Sequence, residues 1–255
     1  MATAIYGAVT VAYVAEQTDK QRAEHLGWFG VARSSGYIVG PGLMGWLLLT
    51  IKAIALFTII GIMSTLGFVP ILLLSESVTP IGRERQAPIQ KQIVQGLKIG
   101  RSTPALCLSG SLEFVVYIPL YAPNAFLPIY GLLVGLNVAL VGTFFSVQEA
   151  THVLLKPLFG RLGDRIGYSE SISLGMLLMG STRPFLTLTD EPIVLMSLSV
   201  LIASAQALIF PCSIALISTQ IDERRLGAGM GLLGTLQNRD KIAGPILAGI
   251  LVRAQ

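Results

Sequence analysis

Apolar positions dominate the chain in long runs, and charged positions fall in short segments between them. Residues 34–51, 53–75, 114–148 and 192–221 contain no Asp, Glu, Lys or Arg. A bilayer core about 30 Å thick is crossed by about 20 apolar residues in a helix. The runs lack the two-residue alternation of barrel strands, and in lipid the backbone must satisfy its own hydrogen bonds. The pattern therefore predicts an all-α fold, a polytopic transmembrane helix bundle.

Pro and Gly divide the apolar runs into about eight predicted spans, of which the first is truncated. A turn between Gly131 and Gly135, for example, separates the end of one span from the start of the next. The predicted spans are 1–15, 26–49, 53–74, 105–130, 137–158, 170–188, 193–217 and 226–252.

A polar segment at 75–104 divides the chain into two blocks. Apolar residues recur every three or four positions between 89 and 97, which predicts a short amphipathic helix there. We therefore expect residues 1–74 to be the end of an amino-terminal transmembrane half with three spans. We expect residues 75–104 to form a cytoplasmic linker, and residues 105–255 to form a carboxy-terminal half with five spans.

Composition and charge narrow the class further. Hydrophobic residues make up 53% of the chain and charged residues 13%, whereas a soluble domain has roughly 25% charged residues. A soluble enzyme, a nucleic-acid binder and a disordered chain are therefore poor fits. Twelve of the 18 Lys and Arg residues lie in one set of alternate loops, and three, Lys52, Arg183 and Arg253, lie in the opposite set. This asymmetry predicts a multi-pass protein of the cytoplasmic (plasma) membrane, in contact with the lipid bilayer and without a nucleic-acid partner.

A Gly-Pro-x-x-x-Gly pattern occurs twice at a constant offset of 204 residues. Many secondary transporters consist of repeated halves with a substrate path between them. The first copy is Gly40, Pro41 and Gly45, and its counterpart is Gly244, Pro245 and Gly249.

Two motifs carry a resemblance to a known family. The sequence GYIVGPGLMG, from Gly36 to Gly45, resembles the antiporter motif on the fifth span of the major facilitator superfamily. The sequence GRLGDRIG, from Gly160 to Gly167, resembles the cytoplasmic loop signature of that family between spans eight and nine. The resemblance implies spans four to eleven of a twelve-span protein, closest to the drug/proton antiporter branch. It implies a secondary transporter that moves a small, drug-like or amphipathic molecule by alternating access, in exchange for protons.

The loop motif also has a physical interpretation of its own. Its three glycines permit tight turns, and Asp164, expected where the next helix begins, favours the positive end of that helix. Its two arginines can pair with this carboxylate in a latch that breaks when the cytoplasmic side opens. The alternative is a charged turn that only anchors the topology. The predicted gate loop contains Gly160, Arg161, Gly163, Asp164, Arg165 and Gly167.

In the antiporter-like motif, three glycines and a proline suggest close helix packing. At Gly36, Gly40 and Gly45 the missing side chains are expected to let another helix approach closely. Pro41 lacks a backbone donor and can bend its helix. The resemblance implies that this segment packs the two halves together and is associated with exchange transport. Ordinary small-residue packing is the alternative.

Four ionisable residues inside predicted spans are candidates for the transport path or for proton coupling, because a charge in hydrocarbon needs a cavity or a partner. Glu149 and His152 are three residues apart on one helix face, and such a pair can accept and release a proton within physiological pH. Asp240 is expected to line the path as a cation or proton site, and Glu113 lies about three turns into its span. The alternatives are a satisfied hydrogen-bonded pair and internal ion pairing that only holds helices in register.

Two other functional classes compete with a secondary transporter. An intramembrane enzyme could use Glu113, Glu149 and His152 around a metal, but zinc sites take three or four closely placed ligands, and the chain has only two histidines. A truncated fragment that does not transport is the other alternative. We therefore expect no enzymatic activity, no cofactor and no metal, and we expect a small-molecule substrate and a proton as partners.

Overall fold

The fold is a bundle of helices, as the apolar runs predict. The computed structural model describes residues 22–67, 120–121, 124–189, 191–220 and 241–250, and within these ranges it contains no β-strand. The predicted span at 1–15 and the linker at 75–104 lie outside the described residues. The elements are α1 (Arg22–Leu47), α2 (Ala53–Leu66), α3 (Asn124–Leu133), α4 (Val138–Ile166), α5 (Tyr168–Thr182), a 3-10 helix (Arg183–Thr187), α6 (Pro192–Gln220) and α7 (Lys241–Ile250).

The turn between α3 and α4 lies where the glycines predict it. Gly135 has a φ of 85°, a left-handed conformation that glycine adopts without strain. The amide of Leu136 donates to the Gly131 carbonyl at 2.8 Å. Asn137 then caps α4, because its side-chain oxygen accepts a hydrogen bond from the Ala139 amide at 2.9 Å. These local bonds reverse the chain and bring α3 alongside α4.

Helix α4 lies between α1 and α6, and α5 packs on the other side of α6. The contact between α5 and α6 is close at Gly175, where a Cβ atom would lie 2.6 Å from Ile209 and 3.0 Å from the Ala205 carbonyl oxygen. Ala205 and Ile209 are buried in one core cluster with Leu120 and Met179. Small residues on α5 and α6 thus allow these two helices to approach each other closely.

Within the described ranges, two helices are long and apolar enough to cross a membrane, Val138–Ile166 and Pro192–Leu216. Helices α2, α3 and α7 are apolar but shorter. Large apolar side chains on α2, including Ile54 at 83% exposure and Phe57 at 70%, project away from the rest of the protein. Such exposed apolar surface suits contact with lipid. The count of eight spans stays a prediction.

Arg183, counted above with the loops opposite the basic ones, lies largely inside the fold. It begins the 3-10 helix after α5, and its Nη2 atom donates to the Leu120 carbonyl at 3.4 Å. Its Nε and Nη1 atoms are buried without a hydrogen-bond partner among the described residues. The long aliphatic part of an arginine can pack against apolar neighbours. Arg183 therefore ties the end of α5 to the segment that precedes α3.

Candidate functional site

Helices α1 and α4 touch through glycines, at a contact that we call the α1–α4 seam. A Cβ atom on Gly45 would lie 2.8 Å from the Val138 carbonyl oxygen and 3.2 Å from the Gly142 Cα atom. A Cβ atom on Gly142 would collide with the Pro41 carbonyl oxygen. At the seam the backbones of α1 and α4 are in close contact, as is common where small residues lie between helices of membrane proteins.

Only part of the antiporter-like motif takes part in this contact. Gly45 packs as expected, but a Cβ atom on Gly36 or Gly40 would have no neighbour within 4 Å among the described residues. The close contact expected of Gly36 and Gly40 therefore has no partner within the described part of the chain and stays a prediction. Gly42, between Pro41 and Gly45, faces α4 instead and contacts Ser146.

Near the middle of α4, the Glu149 carboxylate and the His152 imidazole form a side-chain pair with 3.7 Å between Oε1 and Nδ1, which becomes an ion pair when the imidazole is protonated. His152 is 14% exposed and Glu149 is 35% exposed. The distance is too long for a good hydrogen bond, and neither imidazole nitrogen has a hydrogen-bond partner within the described part of the chain. The imidazole ring instead packs edge-on against Phe210 of α6, with 5.6 Å between ring centroids. The pair can hold a proton, and its more exposed member is the carboxylate.

One further polar side chain, Tyr121, lies near this pair, and two others, Tyr37 and Lys241, lie near Tyr121. Tyr121 is within electrostatic range of the Glu149 carboxylate and of Tyr37 on α1. The Lys241 ammonium group, at the start of α7, lies 5.6 Å from the centroid of the Tyr121 ring. We call Tyr37, Tyr121, Glu149, His152 and Lys241 the polar cluster. It joins one helix of the amino-terminal block to three segments of the carboxy-terminal block.

The predicted gate loop is mostly helix. Helix α4 continues to Ile166, so Gly160, Gly163 and Asp164 are helical, and the expectation of a loop is wrong at these positions and at Arg161 and Arg165. Gly167 alone leaves the helix, with a φ of 105°. The physical reason is that the backbone ladder is unbroken up to the Gly167 amide, which donates to the Gly163 carbonyl at 3.0 Å.

The motif residues act differently from the predicted latch. Asp164 lies in the last turn of α4 rather than at the start of α5, and its Oδ1 atom accepts a hydrogen bond from the Tyr168 hydroxyl at 2.9 Å. This bond raises the pKa of Tyr168 above its ordinary value. Within the described ranges, neither Arg161 nor Arg165 forms an ion pair with Asp164. Gly163 serves packing, since a Cβ atom there would collide with the Cys212 Sγ atom of α6.

Replacing Gly167 with Ala is expected to destabilise the junction between α4 and α5. Its φ of 105° and ψ of 144° lie in a region that is essentially restricted to glycine, and a Cβ atom would collide with the Glu170 side chain. We expect a loss of about 1–3 kcal/mol in the free energy of unfolding, measured by thermal unfolding in detergent. Gly160→Ala is the matched control, because Gly160 is helical and its nearest neighbour would be 3.9 Å away. Equal stability of the two variants would contradict this role of Gly167.

The remaining predicted site residues are only partly within the described ranges. Glu113 and Asp240 lie outside them. In the second copy of the repeat, Gly244 is buried and Pro245 lies within α7. Gly249 faces α3, where a Cβ atom would lie 3.7 Å from Phe126.

Sequence reasoning did not single out Tyr37, Tyr121, Ser146 or Lys241 as parts of one site. Their only signal was polarity within or beside apolar runs, and the packing of distant segments is what shows which of them meet. Among the described residues, no three His, Cys, Asp or Glu side chains are grouped so that they could hold a metal ion.

Two apolar helices long enough to cross a membrane are compatible with a helical integral membrane protein. Residues 1–147 and 110–255 each match the sequence model of the Major Facilitator Superfamily. Because the matches cover the chain, it belongs to this superfamily, and the resemblance carried by the two motifs is confirmed. This superfamily is one of membrane transport proteins.

The relatives found by comparison are tetracycline resistance proteins. The class G protein of Vibrio anguillarum is 25% identical over 247 residues, covering 96% of this chain and 62% of the relative. The class C and class B proteins of Escherichia coli are each 24% identical over 265 aligned positions, covering 99% and 98% of this chain. The chain thus spans 62–64% of the length of these relatives.

Proposed function

We propose that the chain acts as a proton-coupled antiporter of the plasma membrane, one that moves a small amphipathic molecule across it by alternating access. The observation that carries the proposal is the Glu149–His152 side-chain pair at 3.7 Å, inside a helix long enough to cross the bilayer. An ionisable pair at such a position is costly unless it serves a path or a partner.

The chemistry of the pair suits coupling. An imidazole can accept a proton on a ring nitrogen, and the carboxylate oxygen beside it can accept one as well. When the pair holds a proton, it presents less negative charge to the transport path than when it has released it. A substrate and a proton can then occupy the same region in turn, which is the requirement for exchange.

The surroundings of the pair favour an amphipathic substrate. The Phe210 ring packs edge-on against His152, and the Tyr121 phenol is within electrostatic range of Glu149. Aromatic rings provide apolar contact area, and hydroxyl groups can form hydrogen bonds with polar edges of a ligand. The names of the relatives make tetracycline the first molecule to test.

The two motifs support the conformational part of the proposal. The α1–α4 seam joins the amino-terminal block to the carboxy-terminal block through Gly45 and Gly142. The junction of α4 and α5 lies at Gly167, next to the Asp164–Tyr168 hydrogen bond. We propose that the seam is a fixed contact and that the junction belongs to the cytoplasmic gate.

The test is uptake of labelled tetracycline into inverted membrane vesicles that contain the full chain. We expect accumulation when a proton gradient is imposed, its collapse on addition of a protonophore, and alkalinisation of the acidic lumen on addition of tetracycline. Vesicles without the chain provide the background. Folded protein with no tetracycline-dependent proton movement would contradict the proposal and support the alternative of a fragment that does not transport.

A further inference from the structure

A hydrogen bond crosses the α1–α4 seam one turn from the Glu149–His152 pair. The Gly42 amide donates to the Ser146 Oγ atom at 2.7 Å, between residues 104 positions apart in the chain. A backbone amide of α1 thus donates to a side chain of α4. Serine is not needed for volume alone at a small-residue contact, where alanine or glycine would also fit.

The local sequence explains why this amide meets α4. Pro41 lacks an N–H group, and a proline ring displaces the carbonyl of the preceding helical turn, so the helix ladder is interrupted here. Gly42 has no side chain to separate its amide from Ser146, since a Cβ atom would lie 2.8 Å from Oγ. The sequence at Pro41 and Gly42 therefore allows the Gly42 amide to reach Ser146 across the seam.

The bond lies on the helix face that carries the coupling carboxylate. At 100° per residue, Gly142, Ser146 and Glu149 fall within an arc of roughly 60° on α4. The helices run antiparallel, because Gly45 contacts Gly142 while Gly42 contacts Ser146. Starting at the Gly42–Ser146 hydrogen bond, the direction along α4 that leads to Glu149 is therefore the direction along α1 that leads to Tyr37.

We infer that Ser146 is a positioning residue for the α1–α4 seam: its hydroxyl, by accepting the Gly42 amide, fixes the register of α1 against the face of α4 that carries Glu149. The inference deepens the proposed function, on which its consequence for transport rests. Without the hydroxyl, the helices still pack through Gly45 and Gly142, but nothing at position 146 selects one register.

Three variants separate the effect of the Ser146 hydroxyl group from the effect of the volume that it fills. Ser146→Ala removes the acceptor and leaves a gap. Gly42→Ala keeps the hydroxyl and crowds it. The double variant Gly42→Ala with Ser146→Ala adds a methyl group at position 42 and removes the hydroxyl at position 146. It therefore restores the packing volume without restoring the hydrogen bond. Ser173→Ala is the control, because the Ser173 hydroxyl is exposed and bonds only within its own helix, to the Ser169 carbonyl.

Two measurements do not depend on transport. Hydrogen–deuterium exchange in lipid nanodiscs, followed on peptides that contain Gly42, reports the bond itself. Labelling of Glu149 by dicyclohexylcarbodiimide, followed by mass spectrometry with Glu149→Gln as the blank, reports the surroundings of the carboxyl group. We expect Ser146→Ala and the double variant to exchange the Gly42 amide up to about tenfold faster than the wild type. We also expect both to change the labelling rate of Glu149 by at least about threefold, with Ser173→Ala unchanged.

The third measurement compares proton-driven uptake of tetracycline with exchange of labelled for unlabelled tetracycline in the absence of a gradient. Ser146→Ala and the double variant should lose proton-driven uptake by at least about fivefold while they keep exchange within about twofold. Wild-type behaviour of the double variant in exchange, labelling and uptake would overturn the inference, because volume alone would then suffice. If the wild type itself shows no uptake, the proposed function fails, while the hydrogen–deuterium exchange and labelling results still decide the role of Ser146.

Discussion

Glu149→Gln is expected to abolish proton-driven uptake while folded protein continues to accumulate in the membrane. Glutamine has nearly the size of glutamate, but it cannot take up or release a proton, and it leaves a protonated His152 without the carboxylate that lies 3.7 Å away. We expect the initial rate of gradient-driven tetracycline uptake to fall by about two orders of magnitude. The amount of folded protein, measured by size-exclusion chromatography in detergent, should stay close to that of the wild type.

The control for loss of an acidic charge is Glu191→Gln, because Glu191 is exposed in the connection before α6. It should transport at the wild-type rate.

Asp240→Asn is expected to abolish proton-driven uptake as well, since Asp240 is the other candidate for coupling from the sequence. Unchanged uptake in both Glu149→Gln and Asp240→Asn would rule out the proposed coupling roles.

Gly142→Ala is expected to destabilise the protein by forcing the two helices of the α1–α4 seam apart. The new methyl group would collide with the Pro41 carbonyl oxygen and lie close to the Gly45 Cα atom, which is 3.1 Å from the Cβ position. Both neighbours belong to the backbone and cannot rotate away, so α1 and α4 must separate. Overpacking of this kind costs about 1–3 kcal/mol. The measurement is the apparent melting temperature in detergent, with retention of tetracycline exchange as a second readout.

Gly180→Ala is the matched control for this prediction. Gly180 is also helical, but no atom of the described residues lies within 4 Å of its Cβ position. Alanine favours a helix over glycine by about 0.8–1 kcal/mol, so this variant should be as stable as the wild type or more stable. A melting temperature for Gly142→Ala equal to that of Gly180→Ala would show that the seam is looser than its geometry indicates.

The helical fold was predictable because it depends on average properties of long windows. Apolar runs identify helices in lipid whatever their neighbours, and the turn at Gly131 and Gly135 follows from residues adjacent in sequence. The Glu149–His152 pair was predictable for the same reason, since residues three apart on a helix meet without help from other elements. Family membership followed from short motifs in the correct order along the chain.

The role of each glycine could not be predicted in this way. Gly163 and Gly167 belong to one motif, yet one permits a close helix contact and the other a left-handed turn. Sequence alone shows that a side chain is missing, but whether its space is filled by a neighbouring helix depends on tertiary packing. The polar segment after Gly160 looked like a loop because helices in lipid are expected to end where charges begin, whereas α4 continues to Ile166.

The polar cluster was hidden for a related reason. Tyr37, Tyr121 and Lys241 are far apart in the chain, and each lies in or beside an apolar run that gives no sign of a shared partner. Their proximity follows from the packing of α1 against α4 and from the position of α7. Arg183 shows the opposite error, since a residue counted with the loops is held inside the fold by the Leu120 carbonyl.

The difference between the two kinds of contact at the α1–α4 seam has a consequence for the divergence of homologous chains. Gly142 meets main-chain atoms of α1, so no substitution on the opposite helix can make room for a larger residue, and the position should stay glycine in related chains. Gly42 meets a side chain, Ser146, so a change at one position can be offset at the other. We expect positions 42 and 146 to vary together across an alignment of relatives, with alanine at 42 accompanied by a smaller or less polar residue at 146.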